Sequence, residues 1–397
     1  MAEGPSKSLR VEKEEAARRA EEREEARRAA RVARAEALRA RRASHAQRLS
    51  REILHAGEGV SGHLHLVRSD AAALEQRGLP LLHDAADLAT LLGVDMRTLR
   101  WLTYHREVAS VTHYRQFQIP KAKGGVRTIS APRPTLRAVQ QTIRAKVLAR
   151  LEPTVHAQAF VKGRSTLTMA RPHLRQDVLL KVDITDFFGT ITFPRIRGLL
   201  ESLGYSGMVS TLLALLTTEA KRVQADLDGA PAWVALGPRA LPQGAPTSPE
   251  LTNQITRRLD ARLSAFAKKH AWTYTRYADD LVLSRKVDPL DTTDHVARAL
   301  GVVRAVLETE SFQLNAEKLA VIHKGRQQRV TGIVVNEQLG LPRVTLRRFR
   351  AAVHRVTREG FREPAERARM LGYASYVKMI KPALGETWLR TLRGVTA

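Results

Sequence analysis

Two adjacent aspartates, Asp279 and Asp280, stand between runs of apolar, β-prone residues, and nothing else in the chain restricts its fold as much. The stretch before them runs Trp272-Thr273-Tyr274-Thr275-Arg276-Tyr277-Ala278, and Leu281-Val282-Leu283-Ser284 follows. The pattern predicts a hairpin, with strands over 272–277 and 281–284 and the turn at 278–280. A solvated aspartate turn is the ordinary reading of such a sequence. Here Leu281, Val282 and Leu283 look buried, and neighbouring carboxylates buried without a cation would cost several kcal/mol. A divalent cation removes that conflict, and carboxylate oxygens suit hard Mg²⁺.

A second acidic centre lies at Lys181-Val182-Asp183-Ile184-Thr185-Asp186-Phe187-Phe188. The β-branched, apolar run 178–182 predicts a buried strand that ends on Asp183. Nucleotidyl transfer by two metals needs carboxylates that bridge ions ~3.5–4 Å apart. Strand-borne Asp183 and hairpin-borne Asp279 and Asp280 meet that need if their strands are neighbours in one antiparallel sheet. Asp186 is expected to be structural or solvated.

Composition narrows the partner. With 66 Lys plus Arg against 40 Asp plus Glu, the formal net charge is +26. Such an excess repels itself unless a polyanion neutralises it, and nucleic acid is the natural candidate. A ribosomal-type or chromatin-type binding protein would carry the same charge, and an anionic membrane surface is a weaker option. The absence of cysteine excludes disulfides, thiolate zinc sites and cysteine nucleophiles. No apolar run approaches the ~20 residues that span a bilayer. The charged N-terminus lacks an apolar signal core, so a cytoplasmic location is expected.

Along the chain, residues 8–52 alternate Glu and Arg clusters among alanines, which predicts a solvated helix without a core of its own. It reads either as a basic arm on RNA or as a flexible charged extension. Residues 55–68, rich in Gly and His, read as a linker, and 80–104 as two short helices parted at Gly93. A first hairpin is expected from strands at 114–120 and 126–130 around Lys123-Gly124-Gly125. Helices are expected over 135–151, 196–203 and 208–218, with one long amphipathic helix over 247–269. The remainder predicts a helix over 291–308, strands over 319–322 and 329–335, and two or three helices from 344 onward.

The order of these features resembles the palm of reverse transcriptases. Strand-borne Asp183 is followed by Leu241-Pro242-Gln243-Gly244-Ala245-Pro246-Thr247-Ser248-Pro249 and then by Tyr277-Ala278-Asp279-Asp280. The likeness spans about 114–336. More narrowly, the chain resembles the bacterial retron reverse transcriptases. Val330-Thr331-Gly332 matches their Val-Thr-Gly, and Phe160-Val161-Lys162-Gly163-Arg164-Ser165 is similar to the stretch before their catalytic strand. Met169-Ala170-Arg171-Pro172-His173 stands where they show Asn-Ala-x-x-His, with Met169 in place of the Asn.

The resemblance implies roles residue by residue. Asp183, Asp279, Asp280 and the backbone carbonyl of Ile184 would hold two Mg²⁺ ions. Phe188 would lie under the incoming sugar and reject a 2′-hydroxyl, while Phe187 belongs to the core. Gln243 and Gly244 would border the incoming nucleotide and template. Lys121, Lys123 and Arg127 flank Gly124-Gly125, where the backbone can approach a triphosphate closely. Lys121 and Arg127 are the residues assigned to the dNTP, and Lys318 to the leaving pyrophosphate. Arg164, His173, Val330, Thr331 and Gly332 would contact RNA. A basic surface turn, an ordinary loop before a helix and a solvated lysine are the plainer readings of the same residues.

The expected fold is α+β, a right-hand polymerase of fingers, palm and thumb with an antiparallel palm sheet and a helical thumb. Its expected organisation is a charged helical N-terminal extension (1–54), a linker and small helical unit (55–108), fingers and palm (109–335) and thumb (336–397). About sixty residues follow Val335, too few for a thumb plus maturase, endonuclease or RNase H regions. The implied function is RNA-directed DNA synthesis in bacteria on a dedicated structured non-coding RNA. Priming from a guanosine 2′-hydroxyl would give a branched RNA–DNA product (msDNA), in phage defence with an effector protein. Two other readings stay open. One is a different bacterial reverse transcriptase class, defence-associated or diversity-generating. The other is a non-catalytic RNA-binding scaffold, against which all three aspartates argue.

Overall fold

The computed structural model of the chain describes residues 6–120, 124–287 and 294–395. The chain opens with one long helix, α1 (Ser6–Arg51), on which every described side chain from 12 to 51 is exposed. Three short helices follow: α2 (Ala71–Gln76), α3 (Ala85–Leu92) and α4 (Met96–Thr103). Asp70, Asp84 and Asp95 cap them by accepting backbone N–H bonds that would otherwise be orphaned. The parting at Gly93 is as expected, with φ +68°. The 55–68 stretch is not a free linker, because Ala56, Val60 and Leu64 are buried in the main core. Its glycines and histidines suggested exposure; the apolar residues between them decide otherwise.

A short β1 (Val108–Ala109) leads into the first hairpin, β2 (Tyr114–Pro120) and β3 (Val126–Pro132), most of it exposed. Lys121 and Lys123 lie outside the described residues. The chain continues through α5 (Pro134–Lys146), a 3₁₀ turn at Leu148–Arg150, α6 (Thr166–Ala170) and β4 (Val178–Asp183). Helices α7 (Phe193–Ser202) and α8 (Gly207–Thr217) come next. Then comes a hairpin the pattern did not predict, β5 (Glu219–Leu227) and β6 (Ala230–Ala240), which pairs with β1. Its turn is Asp228-Gly229, both at positive φ, a strong hairpin dipeptide between a polar β5 and a β6 interrupted by Pro231, Gly237 and Pro238.

The single helix expected over 247–269 is two, α9 (Ser248–Ile255) and α10 (Arg257–Lys269). Between them Thr256 bonds its hydroxyl back to the Thr252 carbonyl at 2.7 Å, a side-chain bond that bends helices. Strands β7 (Thr273–Tyr277) and β8 (Asp280–Arg285) form the predicted second hairpin. Helix α11 (His295–Thr309) begins later than expected, and the part of that prediction over 291–293 lies outside the described residues. After β9 (Ala320–His323), the expected strand over 329–335 is a small hairpin, β10 (Arg329–Val330) and β11 (Ile333–Val334). Thr331 and Gly332 turn it with φ +45° and +87°. Three helices close the chain: α12 (Arg343–Glu359), α13 (Pro364–Ile380) and α14 (Pro382–Gly394).

The central sheet is antiparallel, in the order β7-β8-β4-β9. Both of its faces are covered, which is why β4 and β8 read as continuous apolar runs rather than alternating ones. Val178, Leu180, Val182, Leu281 and Leu283 face the main core, built by helices α2 to α5 and α7 to α11. Leu179 and Val282 face a second core with Met169, Val330 and the three C-terminal helices. This α+β arrangement, with an antiparallel sheet between a helical body and a helical C-terminal lobe, is the right-hand polymerase fold.

Candidate active site

The sheet register brings the predicted acids together. Asp183, the last residue of β4, is the direct cross-strand partner of Asp280, the first residue of β8. Directly opposed residues on neighbouring strands hold their Cβ atoms ~4.5–5.5 Å apart. Asp279 sits in the two-residue turn with Ala278, whose φ of +54° is left-handed. The Asp279 carbonyl accepts the Ile184 N–H at 3.1 Å, so the turn is fastened to the chain just beyond Asp183.

The neighbourhood is short of positive charge. Burial holds the Asp279 carboxyl above the usual range, and the charges of Asp280 and Asp183 push it further. Burial also raises Asp280; Lys181 opposes that and Asp183 adds to it. Asp183, 6% exposed, is better served. Lys318 donates to both of its oxygens at 3.0 Å, and Asn315 donates to one at 3.2 Å. The bond to Asp183 in turn raises the Lys318 pKa. Asn315 is a site residue that the motif analysis did not single out; its backbone N–H also donates to the Asp183 carbonyl at 2.8 Å.

Among the described residues, no three His, Cys, Asp or Glu side chains close into a ready-made metal cage. Ions of Mg²⁺ type seldom take one; they bind through one or two carboxylates and are completed by water and substrate phosphates. Hard oxygen donors, mutual repulsion and a shared sheet edge fit a divalent cation bound in that way.

A second group missed in the sequence supports the turn from behind. Arg276 is fully buried and grips Asp260 with both arms of its guanidinium, each at 2.8 Å. Its remaining nitrogen reaches Asn253 Oδ1 and the Ala278 carbonyl, both at 3.3 Å. Tyr274 donates to Asp260 Oδ1 at 2.8 Å, and Thr154 donates to Oδ2. The carbonyl of left-handed Ala278 is thereby aimed by a charge locked into α9 and α10. In sequence, Arg276 and Asp260 look like two solvated charges.

The other assigned residues divide. Phe188 is half-buried, edge-on to the core residue Phe187 at 5.6 Å. Gly244 has φ +118°, and a Cβ there would meet Ile129 at 2.8 Å, so only glycine lets the loop lie this close to β3. The Gln243 carbonyl accepts the Ser130 N–H at 2.7 Å, which joins that loop to the first hairpin. Arg127 is exposed on β3 opposite Ile119. Lys121, as noted, is outside the described residues.

Two assignments to RNA are corrected. His173 is fully buried, with its ring nitrogens at 2.6 Å from Ser284 Oγ and 2.7 Å from Thr275 Oγ1. Burial drops its pKa to about 3, so it is a neutral tie between β7 and β8 with no surface for RNA. Val330 is likewise fully buried, in the second core. Met169, in the family's Asn position, packs in the same core. Arg164 spends one nitrogen on the carbonyls of Thr154 and Ala157. Of the group, Gly332 is exposed and Thr331 is partly so.

Comparison with known proteins agrees with this geometry. Residues 119–373 match the model of the reverse transcriptase (RNA-dependent DNA polymerase) family, and the chain belongs to that family. It is an RNA-directed DNA polymerase, and its relatives place it with the retron type. It is 44% identical over 327 residues to the retron Mx162 reverse transcriptase of Myxococcus xanthus, covering 79% of this chain and 67% of the relative. Identity to the retron Mx65 reverse transcriptase of the same organism is 42%, over 81% of this chain and 74% of that one. Identity to the Escherichia coli retron Ec86 enzyme is 30%, over 71% and 81%. A solved telomerase from Candida albicans aligns with 70% of this chain and 54% of its own at TM-score 0.44 and 11% identity, too slight a likeness to add to the assignment.

Proposed function

We propose that the chain copies part of a structured non-coding RNA into DNA by two-metal nucleotidyl transfer at Asp183, Asp279 and Asp280. One observation carries this reading: Asp183 and Asp280 oppose each other across β4 and β8, and Asp279 is fastened to Ile184 beside them. These carboxylates and the Ile184 carbonyl would hold two Mg²⁺ ions, which would supply a lowered pKa at the attacking hydroxyl and counter-charge for the departing pyrophosphate. Lys121 and Arg127 from the first hairpin, with Lys318, meet the triphosphate charge of the dNTP. Lys318 has a side chain 55% exposed, so it can leave Asp183 and turn toward that charge. Gln243 and Gly244 border the incoming nucleotide, and Phe188 lies under its sugar.

Likeness to the retron enzymes supplies the finer steps. The primer is a guanosine 2′-hydroxyl of the RNA itself. Its oxygen attacks the α-phosphorus, a 2′–5′ phosphodiester forms and pyrophosphate leaves. The product is branched RNA–DNA, made in the bacterial cytoplasm and serving phage defence with an effector protein.

Purified protein with an RNA template–primer, dNTPs and Mg²⁺ is expected to make DNA. Asp279→Ala with Asp280→Ala is expected to lower the rate by about a thousandfold or more, equivalent to at least about 4 kcal/mol of barrier. Synthesis that survives the double change removes the site. Phe188→Val is expected to admit rNTPs; unchanged sugar discrimination would return Phe188 to the core. Nucleic acid that co-purifies with the protein should contain DNA joined to an internal RNA 2′-oxygen, and DNA with only free 5′ ends would sink the branched product.

A further inference from the structure

Helix α1 serves nothing in the catalytic reading. It runs for 46 residues, about 69 Å at ~1.5 Å per residue, and among the described residues only its C-terminal end is fastened to the body. There Arg51 pairs with Asp84 at 2.7 Å and Asp87 at 3.0 Å, Arg100 bonds the Leu49 carbonyl, and Ile53 enters the core. The rest has no core to stabilise it, so its residue pattern answers to something outside the chain.

That pattern differs between the two halves. Toward the N-terminus Glu and Arg are balanced and paired: Arg19 with Glu15 at 3.2 Å, Arg18 with Glu22 at 3.6 Å, Arg28 with Glu24 at 2.8 Å. Between residues 26 and 51 there is a single acid. At about 100° per residue, Arg27, Arg31, Arg34, Arg41 and Arg42 fall within an arc of about 100°. The one acid between 26 and 51, Glu36, falls on the opposite side. Among the described residues, none of the five arginines has an acidic partner. Like charges so spaced along one helix face destabilise it.

Other occupants fit poorly. Among the described side chains of α1, the exposed large apolar ones are Val32, Leu38 and Leu49, which follow no heptad, so they give a second copy no seam to interdigitate with. A membrane-surface helix needs a continuous apolar face, which is missing. The segment holds no Phe, Tyr or Trp, so it offers no platform on which unpaired bases could stack. A row of guanidinium groups along one helix face, without aromatic residues, suits the regular phosphates of a double helix.

Resting on the reading of this chain as an enzyme that copies a structured RNA, we infer that the face formed by Arg27, Arg31, Arg34, Arg41 and Arg42 binds the backbone of an RNA double helix. It holds a stem of the RNA away from the catalytic sheet, through shape and charge rather than base sequence.

The test is a full-length variant in which all five arginines become Gln, a good helix former on an exposed face. Binding is measured to an RNA duplex two helical turns long, of arbitrary sequence, across a salt series. The slope of log affinity against log salt should shrink by about four units, and affinity near physiological salt should fall about a hundredfold or more. Arg18→Gln with Arg19→Gln, in the paired half, should change the slope by less than about one unit. DNA synthesis on a short oligonucleotide template–primer should match the parent, which separates this proposal from the catalytic one: failure of the parent there counts against the active site, not against α1. An unchanged duplex slope in the five-fold variant overturns the inference. So does an equal loss on single-stranded oligouridine, or a loss confined to an acidic polypeptide such as polyglutamate.

Discussion

The hairpin of β7 and β8 touches one buried acid, Asp260, and one half-buried pair, Asp279 and Asp280, and the protein treats them in opposite ways. At Asp260, burial pushes the carboxyl up, but the hydrogen bonds and charge of Arg276, helped by Thr154 and Tyr274, bring it below its ordinary value. At Asp279 and Asp280 burial pushes up, and a backbone hydrogen bond at Asp279 with the charges of Lys181 and Lys318 offsets only part of it, so both carboxyls stay above their ordinary value. The two groups are linked through one residue, since Arg276 also holds the Ala278 carbonyl beside Asp279. The fold is therefore able to neutralise an acid completely at this place. That it leaves the neighbouring pair in deficit marks the pair as a seat for cationic charge brought by something else.

Breaking the neutral group should produce the largest change in stability. Arg276→Met leaves Asp260 buried without its partner and is expected to cost about 3–5 kcal/mol by denaturant unfolding. Adding Asp260→Leu should recover most of that, because an apolar pair can replace a buried ion pair. DNA synthesis should stay depressed in the double variant, with the defect in kcat rather than KM, since the Ala278 carbonyl is still unsupported. Full return of both stability and rate would reduce Arg276 to a packing residue.

The deficient pair should respond more gently and with the opposite sign. A carboxyl whose folded pKa is raised destabilises the ionised native state, a penalty present at neutral pH and relieved as pH falls through the raised value. Without divalent metal, Asp279→Asn with Asp280→Asn should be more stable than the parent at neutral pH, and the gap should close on acidification. Mg²⁺ at ten times its dissociation constant should stabilise the parent by about 1.4 kcal/mol and the variant hardly at all. Thermal melts at several pH values, with and without Mg²⁺, would show it; equal metal response in both proteins removes the contrast.

Smallest of the three is Lys318→Met. The ammonium is half exposed, and screened pairs of that kind contribute about 0–1 kcal/mol. Stability should shift by less than about 1 kcal/mol, while the rate of pyrophosphate release should fall. A large loss of stability would instead place Lys318 with Arg276 as a structural counter-charge.

Much of the site was legible because its signals were local. An apolar run ending in Asp183, and two acids in a turn between apolar strands, state their own conflict within a few residues. The β5–β6 hairpin was not legible in that way. Its strands carry Lys221, Arg222, Gln224 and Asp226, and only Asp228-Gly229 marked the turn. The break at Thr256 depends on where one hydroxyl points, and composition is silent on that. His173 and Val330 were misplaced for a different reason: a motif gives the position of a residue in the chain but not the depth at which it lies. The Arg276–Asp260 pair shows the same limit from the other side, since two charges declare themselves buried only once the strand and the helix are packed.

The strand bearing Asp183 is wedged between two separate hydrophobic masses, the main helical core on one face and, on the other, α6 with the three C-terminal helices. Any slide or tilt of that strand would loosen both at once, so it serves as the fixed anvil of the catalytic cycle. Opening, translocation and closure must then fall to parts that lie outside the wedge. One of these is the first hairpin, most of it exposed and joined to the Gln243 loop through the Ser130 amide.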